Sequence, residues 1–267
     1  MTGFESKDFT DSFRGKGEHE KKISDLFNGN MAYQGKAIFK SKLYILAFTN
    51  RSGSNLLADY MRQTGFFYGL NEALNWDEVE LRAEREKVSS FPDYIISQVS
   101  NENKNSHWGV KASWDQMIML ARFGVTDMFS SVKVIHSVRT DLVGQAVSLW
   151  IAHQTGKWTS NHRSSDMAPE YDRKPIDKII KQISNANCNI DCISRALKWQ
   201  RAAVIYENLT NDPELVINRI GKFVSADFSK WRADIPKISK QRDQLNADFS
   251  QKTLNSWAAS IKNSENL

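Results

Sequence analysis

Apolar residues along this chain gather in four short runs that read as strands: Leu43–Phe48, Trp108–Ala112, Val132–Val138 and Ala202–Tyr206. Each is followed by a segment with helical apolar spacing, over 54–64, 114–122, 141–153 and 212–224. The charged and aromatic intervals 75–102 and 175–200 also read as helical. Residues 1–40 are polar and weakly periodic, with Lys16, Glu18, Glu20, Lys21 and Lys22 among many charges, and predict an N-terminal extension, irregular or helical. A single domain is expected over 41–267, since no repeat and no Gly/Pro/Ser-rich linker divides it. Strands spaced by helices predict an α/β fold with a central parallel sheet covered on both faces. Ligands of such sheets bind beyond the carboxyl ends of the strands, which places Arg51, Ser113 and Arg139 along one rim.

The first strand runs into the turn Thr49-Asn50-Arg51-Ser52-Gly53-Ser54, and a helix carrying Leu56, Leu57 and Tyr60 follows. Backbone N–H groups converge at such a helix start, where the helix dipole favours an anion. Arg51 adds a full charge, and Ser52 and Ser54 add hydroxyl donors. The pattern predicts a loop that holds phosphate or sulfate. It is not the Walker A loop, which needs Lys and then Ser or Thr after its last glycine. Here Ser54 and Asn55 follow Gly53, so the ligand is expected to be a charged ester held without an obligatory metal. An ordinary strand–turn–helix connection is the plainer reading of this segment alone.

Composition narrows the classes. Forty per cent apolar residues, with eight Trp and fourteen Phe, are enough for a sizeable core and argue against disorder. No apolar stretch reaches the ~20 residues of a membrane span, and the N-terminus lacks a secretory pattern, so a cytoplasmic protein is expected. A net charge of +5 suits an anionic small ligand. No basic run, zinc spacing or aromatic RNA-binding signature points to nucleic acid. Cys188 and Cys192 are two thiols without histidine-rich surroundings and read as structural or incidental.

A second basic element ends the run Val134-Ile-His-Ser-Val-Arg-Thr-Asp141. Arg139 stands at the strand end and Ser148 on the following helix, and the two suit a second phosphate. The plainer alternative pairs Arg139 with an acid while Asp141 caps the helix.

Taken in order, several segments together resemble the bacterial carbohydrate sulfotransferases of the trehalose 2-sulfotransferase type. They are Asn50-Arg-Ser-Gly-Ser-Asn-Leu-Leu57; Trp108-Gly-Val-Lys111 with Trp114 and Gln116; Arg139-Thr-Asp-Leu-Val-Gly-Gln-Ala-Val-Ser-Leu-Trp150; Gln154-Thr-Gly-Lys-Trp158; Tyr206-Glu-Asn-Leu209; and Lys240-Gln-Arg-Asp243. The resemblance spans about Tyr44 to Phe249. It implies a P-loop-like three-layer fold. It also implies transfer of sulfuryl from 3′-phosphoadenosine-5′-phosphosulfate (PAPS) to a carbohydrate or glycolipid hydroxyl, releasing 3′,5′-adenosine bisphosphate. Family members are often dimers, so a homodimer is an expectation too.

Carried across, the resemblance implies that Arg51, Ser52, Gly53 and Ser54 hold the 5′-phosphosulfate, with Asn55 as a further donor, and that Arg139 and Ser148 hold the 3′-phosphate. Lys240 and Gln241 match an Arg-Gln pair near the nucleotide, and Glu72 matches the acid that takes the acceptor hydroxyl's proton. Four positions depart from the family pattern: Asn50 for Pro, Asn55 for Thr, and Tyr68 and Leu70 for Gly and Pro. Lys111 ends a strand and either approaches the transferring group or is a rim lysine. His107, His136 and His153 read as packed, with His153 a second candidate base, and Trp150 and Trp158 read as core before ligand platform. Two other functions fit parts of this pattern. A small-molecule kinase would need magnesium-dependent ATP turnover. A degenerate sulfotransferase fold would bind nucleotide and transfer nothing.

Overall fold

The computed structural model describes residues 10–100, 106–156, 158, 168–234 and 244–263. Five strands form one sheet, all parallel, in the order β2-β3-β1-β4-β5. They are β1 (Leu43–Phe48), β2 (Phe67–Asn71), β3 (His107–Ala112), β4 (Val132–Val138) and β5 (Gln200–Ile205). The helices are α1 (Asp11–Arg14), α2 (Glu18–Leu26), α3 (Ser54–Gln63), α4 (Trp76–Glu86), α5 (Phe91–Ser100), α6 (Trp114–Arg122), α7 (Leu142–Thr155), α8 (Arg173–Ala196), α9 (Tyr206–Asn211), α10 (Pro213–Val224) and α11 (Gln244–Lys262).

The central strand explains the layering. All six residues of β1 are buried, and they alternate between two cores as a period of two requires. Leu43, Ile45 and Ala47 face one core with Val110, Val134, Met117 and Leu120. Tyr44 and Leu46 face the other with Leu57, Met61, Ile217 and Ile220. A third cluster joins α7, α8 and α11 through Val147, Ile179 and Phe249. The expected α/β architecture is therefore present. Ile23, Phe27 and Met31 are buried in the first core, so the polar stretch ahead of β1 is packed onto the domain by three apolar side chains. The buried Glu20 carboxylate reinforces this by pairing with Arg122 of α6.

The pattern of four strands omits β2. This edge strand has five residues, and its Gly69 and Leu70 have positive φ (71° and 51°). Its pairing with β3 shifts register between Gly69 and Asn71. A bulged, glycine-interrupted edge strand carries no clean alternation to read. Its consequence is positional, because Glu72 follows its end directly. The interval 75–102 divides into α4 and α5, and Tyr206 belongs to α9 rather than to the last strand.

Candidate active site

The C-terminal ends of the five strands bring Glu72, Ser113, Arg51, Arg139 and Tyr206 to one rim of the sheet, each just past its strand. At the centre, the turn after β1 has Arg51 at φ 65° and Gly53 at φ 85°. Position 53 admits only glycine for a second reason. A Cβ there would lie 2.1 Å from the Tyr206 ring, so the loop approaches that ring more closely than a side chain allows. The Ser52 N–H donates to Thr49 O at 3.2 Å, and Ser137 Oγ donates to Ser52 O at 3.1 Å, fixing the turn on β4. Gln145, fully buried on α7, donates through Nε2 to Thr49 Oγ1 (2.9 Å) and Asn50 O (2.8 Å). The buried Ser52 Oγ has no hydrogen-bond partner among the described residues. A buried hydroxyl left this way beside a helix N-terminus fits an oxyanion ligand.

Two guanidinium groups meet beside this turn. Arg51 Nε donates to Ser148 Oγ at 2.9 Å, and Arg51 Nη1 donates to Trp158 O at 2.7 Å. Arg139 Nη1 reaches Arg51 O at 3.5 Å, and its guanidinium lies over the Tyr206 ring at 5.3 Å. Burial, and then the charge of Arg139, push the Arg51 pKa below its ordinary value. Two like charges held together in a partly desolvated corner gain from an anion placed between them. Arg51, Arg139 and Ser148 thus lie together in one cluster.

Acids orient Arg139 from behind. Its Nη2 lies 3.4 Å from Asp141 Oδ2, and its Nε lies 3.9 Å from Glu207 Oε1. Asp141 also caps α7 by accepting from Gly144 N at 2.8 Å, so the acid pairing and the helix cap of the plainer reading are both present. Glu207 accepts the Thr140 and Asp141 N–H groups at 3.1 and 3.2 Å and so shapes the turn after β4.

On the other side of the turn, Lys111 of β3 is almost fully buried. Its Nζ donates to Glu72 Oε1 at 2.6 Å and also to Asn55 Oδ1, and lies 4.5 Å from the Phe48 ring centre. Burial dominates and pulls the Lys111 pKa below its ordinary value, while the Glu72 charge opposes this. For Glu72, burial alone would raise the pKa. The Lys111 charge and hydrogen bonds from Lys111 and Asn75 outweigh it, leaving the carboxyl below its usual value and ionised at neutral pH.

Lys240 and Gln241 lie outside the described residues. His153 packs against Trp158, with ring centres 5.3 Å apart. Gln145 and the packing of Tyr206 against Gly53 are not foreseen from the sequence, whereas Tyr206-Glu207 reads there as a strand end with an acidic cap of structural role, and Glu207 does brace the turn after β4. The motif Gln-Ala-Val-Ser-Leu-Trp150 contained Gln145, but nothing in one sequence shows which way a helical side chain faces. A cavity of about 800 Å³ lies at the opposite edge, lined by Lys42, Lys133 and Lys198 among others, and includes none of the rim residues.

Residues 43–253 match the family model described as Stf0 sulphotransferase, most of the chain. This chain belongs to that family. It is 25% identical over 256 residues to a trehalose 2-sulfotransferase of Mycobacterium tuberculosis, covering 77% of this chain and 92% of that protein. Its fold is similar to the sulfotransferase domain of the Synechococcus olefin synthase, with TM-score 0.51 and 13% identity over 82% of this chain and 97% of that domain. The rim just described is this chain's candidate active site.

Proposed function

We propose that this chain transfers the sulfuryl group of PAPS to a hydroxyl of a carbohydrate or glycolipid. The observation that carries the reading is the pairing of a cationic cluster, Arg51 with Arg139, and an ionised acid, Glu72, on opposite sides of one helix-capping turn. Sulfuryl transfer spreads negative charge over equatorial and leaving oxygens, so positioned cations and amides supply most of the rate. Arg51, the Ser52 hydroxyl and the start of α3 would hold the 5′-phosphosulfate, and Arg139 with Ser148 the 3′-phosphate. Lys111 would meet the transferring group, and Glu72 would accept the acceptor's proton, a contribution of ~10²–10⁴-fold. The likeness to a trehalose-modifying enzyme makes trehalose the first acceptor to try.

Incubation with radiolabelled PAPS and a panel of disaccharides and glycolipids tests this. Label is expected in a sugar product with the native chain and is lost in Glu72→Gln, which retains adenosine bisphosphate binding. Nucleotide binding with no transfer to any panel member would favour the binding-only reading.

A further inference from the structure

The Glu72 carboxylate sits at the end of a chain of side-chain amides whose polarity is fixed by backbone groups. Gln116, buried on α6, accepts the Ser113 N–H through Oε1 at 3.0 Å. Its Nε2 donates to Leu74 O at 3.1 Å and to Asn75 Oδ1, also at 3.1 Å. A backbone N–H can only donate and a carbonyl can only accept, so the Gln116 amide has one allowed orientation. Asn75 must then turn its oxygen to Gln116 and its Nδ2 to Glu72, where it donates to Oε2 at 3.0 Å. Lys111 donates to the other oxygen, Oε1, and to Asn55 Oδ1 at the first turn of α3. The ordered path Ser113–Gln116–Asn75–Glu72–Lys111–Asn55 therefore connects the start of α6 to the donor loop.

We propose that Asn75 and Gln116 are positioning residues for sulfuryl transfer, holding Glu72 in one orientation against Lys111 and the donor loop. The proposal rests on the assignment of Glu72 as base given above. Neither residue touches a reacting atom in this scheme. Their effect is to give the carboxylate a donor on each oxygen, so that it remains an anion and cannot rotate away from Lys111. Among the described residues, Lys111 of β3 and His19 of α2 are the charged or titratable groups that act on Glu72, and Arg62 of α3 acts in turn on Lys111. His19 is itself fixed, since its Nδ1 accepts the Trp76 N–H at 3.0 Å. A donor removed at Asn75 leaves Lys111 as the one strong support of the anion.

NMR of the full chain with isotope-labelled glutamate carboxyl carbons reads this directly, without needing the acceptor. The Glu72 resonance is the one missing from Glu72→Gln. In the native chain it should titrate below the exposed glutamates. In Asn75→Ala and in Gln116→Glu it should titrate at higher pH, the second because a carboxylate at position 116 has no proton to give Asn75 Oδ1. Affinity for 3′,5′-adenosine bisphosphate should stay within about twofold in both variants. A Glu72 midpoint unmoved in Asn75→Ala, whose half-buried position tolerates truncation, overturns the proposal even if Gln116→Glu fails to fold. Failure of the native chain to bind the bisphosphate would sink the donor reading instead, and full transfer activity in Glu72→Gln the assignment of the base. Neither outcome resembles an unmoved midpoint.

Discussion

Lys111 Nζ lies 2.6 Å from Glu72 Oε1 although the lysine side chain is only 3% exposed. A buried ammonium is costly unless paired, so this carboxylate is what allows a buried lysine near the end of a core strand. Lys111 also links Glu72, the acid expected to act on the acceptor, to Asn55 at the first turn of α3.

Lys111→Met keeps the volume and removes the charge. Removing one partner of a buried ion pair leaves the other charge uncompensated, so stability should fall, by less than the ~3–5 kcal/mol of a fully buried pair because Glu72 is partly exposed. Sulfuryl transfer should fall at least about tenfold, and the acid limb of the kcat profile should move to higher pH. Native activity in a folded Lys111→Met chain would remove Lys111 from the transfer step.

In the native enzyme that acid limb has a definite side. The Glu72 pKa is below its ordinary value of 4.5, so the base stays ionised until the pH falls beneath that value. The same depression contributes stability that is present above the unfolded-state pKa and lost as pH falls through the folded one. A kcat profile whose acid limb lies well above pH 4.5 would show that Glu72 is not the group titrating.

Arg139 is expected to read the 3′-phosphate. Arg139→Ala should reduce the preference for 3′,5′-adenosine bisphosphate over 5′-AMP, with a loss of about 1.5–3 kcal/mol confined to the bisphosphate. Equal losses for both nucleotides in calorimetric titrations would remove that role.

Much of this arrangement was legible in the chain, for a physical reason. The runs that became β1, β3 and β4 are apolar enough to be buried on both faces, and parallel sheets impose that continuous pattern, whereas β5, at the sheet edge, buries only Val204. Arg51 and Arg139 were placed correctly because a strand end followed by a helix start fixes which rim they occupy. The edge strand β2 was not legible, because Gly69 and Leu70 adopt positive φ and break the alternation. The meeting of Arg51 with Ser148 was also hidden, since a contact across 97 positions depends on how α7 packs over the loop. Asn75 escaped notice, and Gln116 entered only as part of a motif, for the same reason: neutral amides signal nothing until their partners are in view.

Gly53→Ala tests the close approach of the donor loop to Tyr206. Its φ of 85° and the 2.1 Å contact of an added Cβ both oppose a side chain, so a loss of about 1–2 kcal/mol or more in stability is expected. Nucleotide affinity should fall with it, because the loop must move to make room. A variant with native Tm and native affinity would refute the tight packing described.

His136 gives the fold a separate pH dependence. Arg201 Nη1 can only donate to its Nδ1, at 3.2 Å, so Nε2 carries the proton that it shares with Asn187 Oδ1 at 3.1 Å. Burial lowers its pKa to about 4 from 6.5. The unfolded chain binds this proton first, so stability should fall as pH drops from 6.5 towards 4, by up to about 3 kcal/mol. Urea unfolding at pH 7 and pH 5 measures it, and His136→Gln should flatten the difference.

The central claim is that the turn after β1 cups the charged end of an activated sulfate donor, and calorimetric titration with 3′,5′-adenosine bisphosphate addresses it most directly. The native chain should bind, and Arg51→Ala should weaken binding by more than about tenfold, the loss of one charge-assisted contact. Equal affinity in the two proteins, or no binding to the native one, would contradict the account.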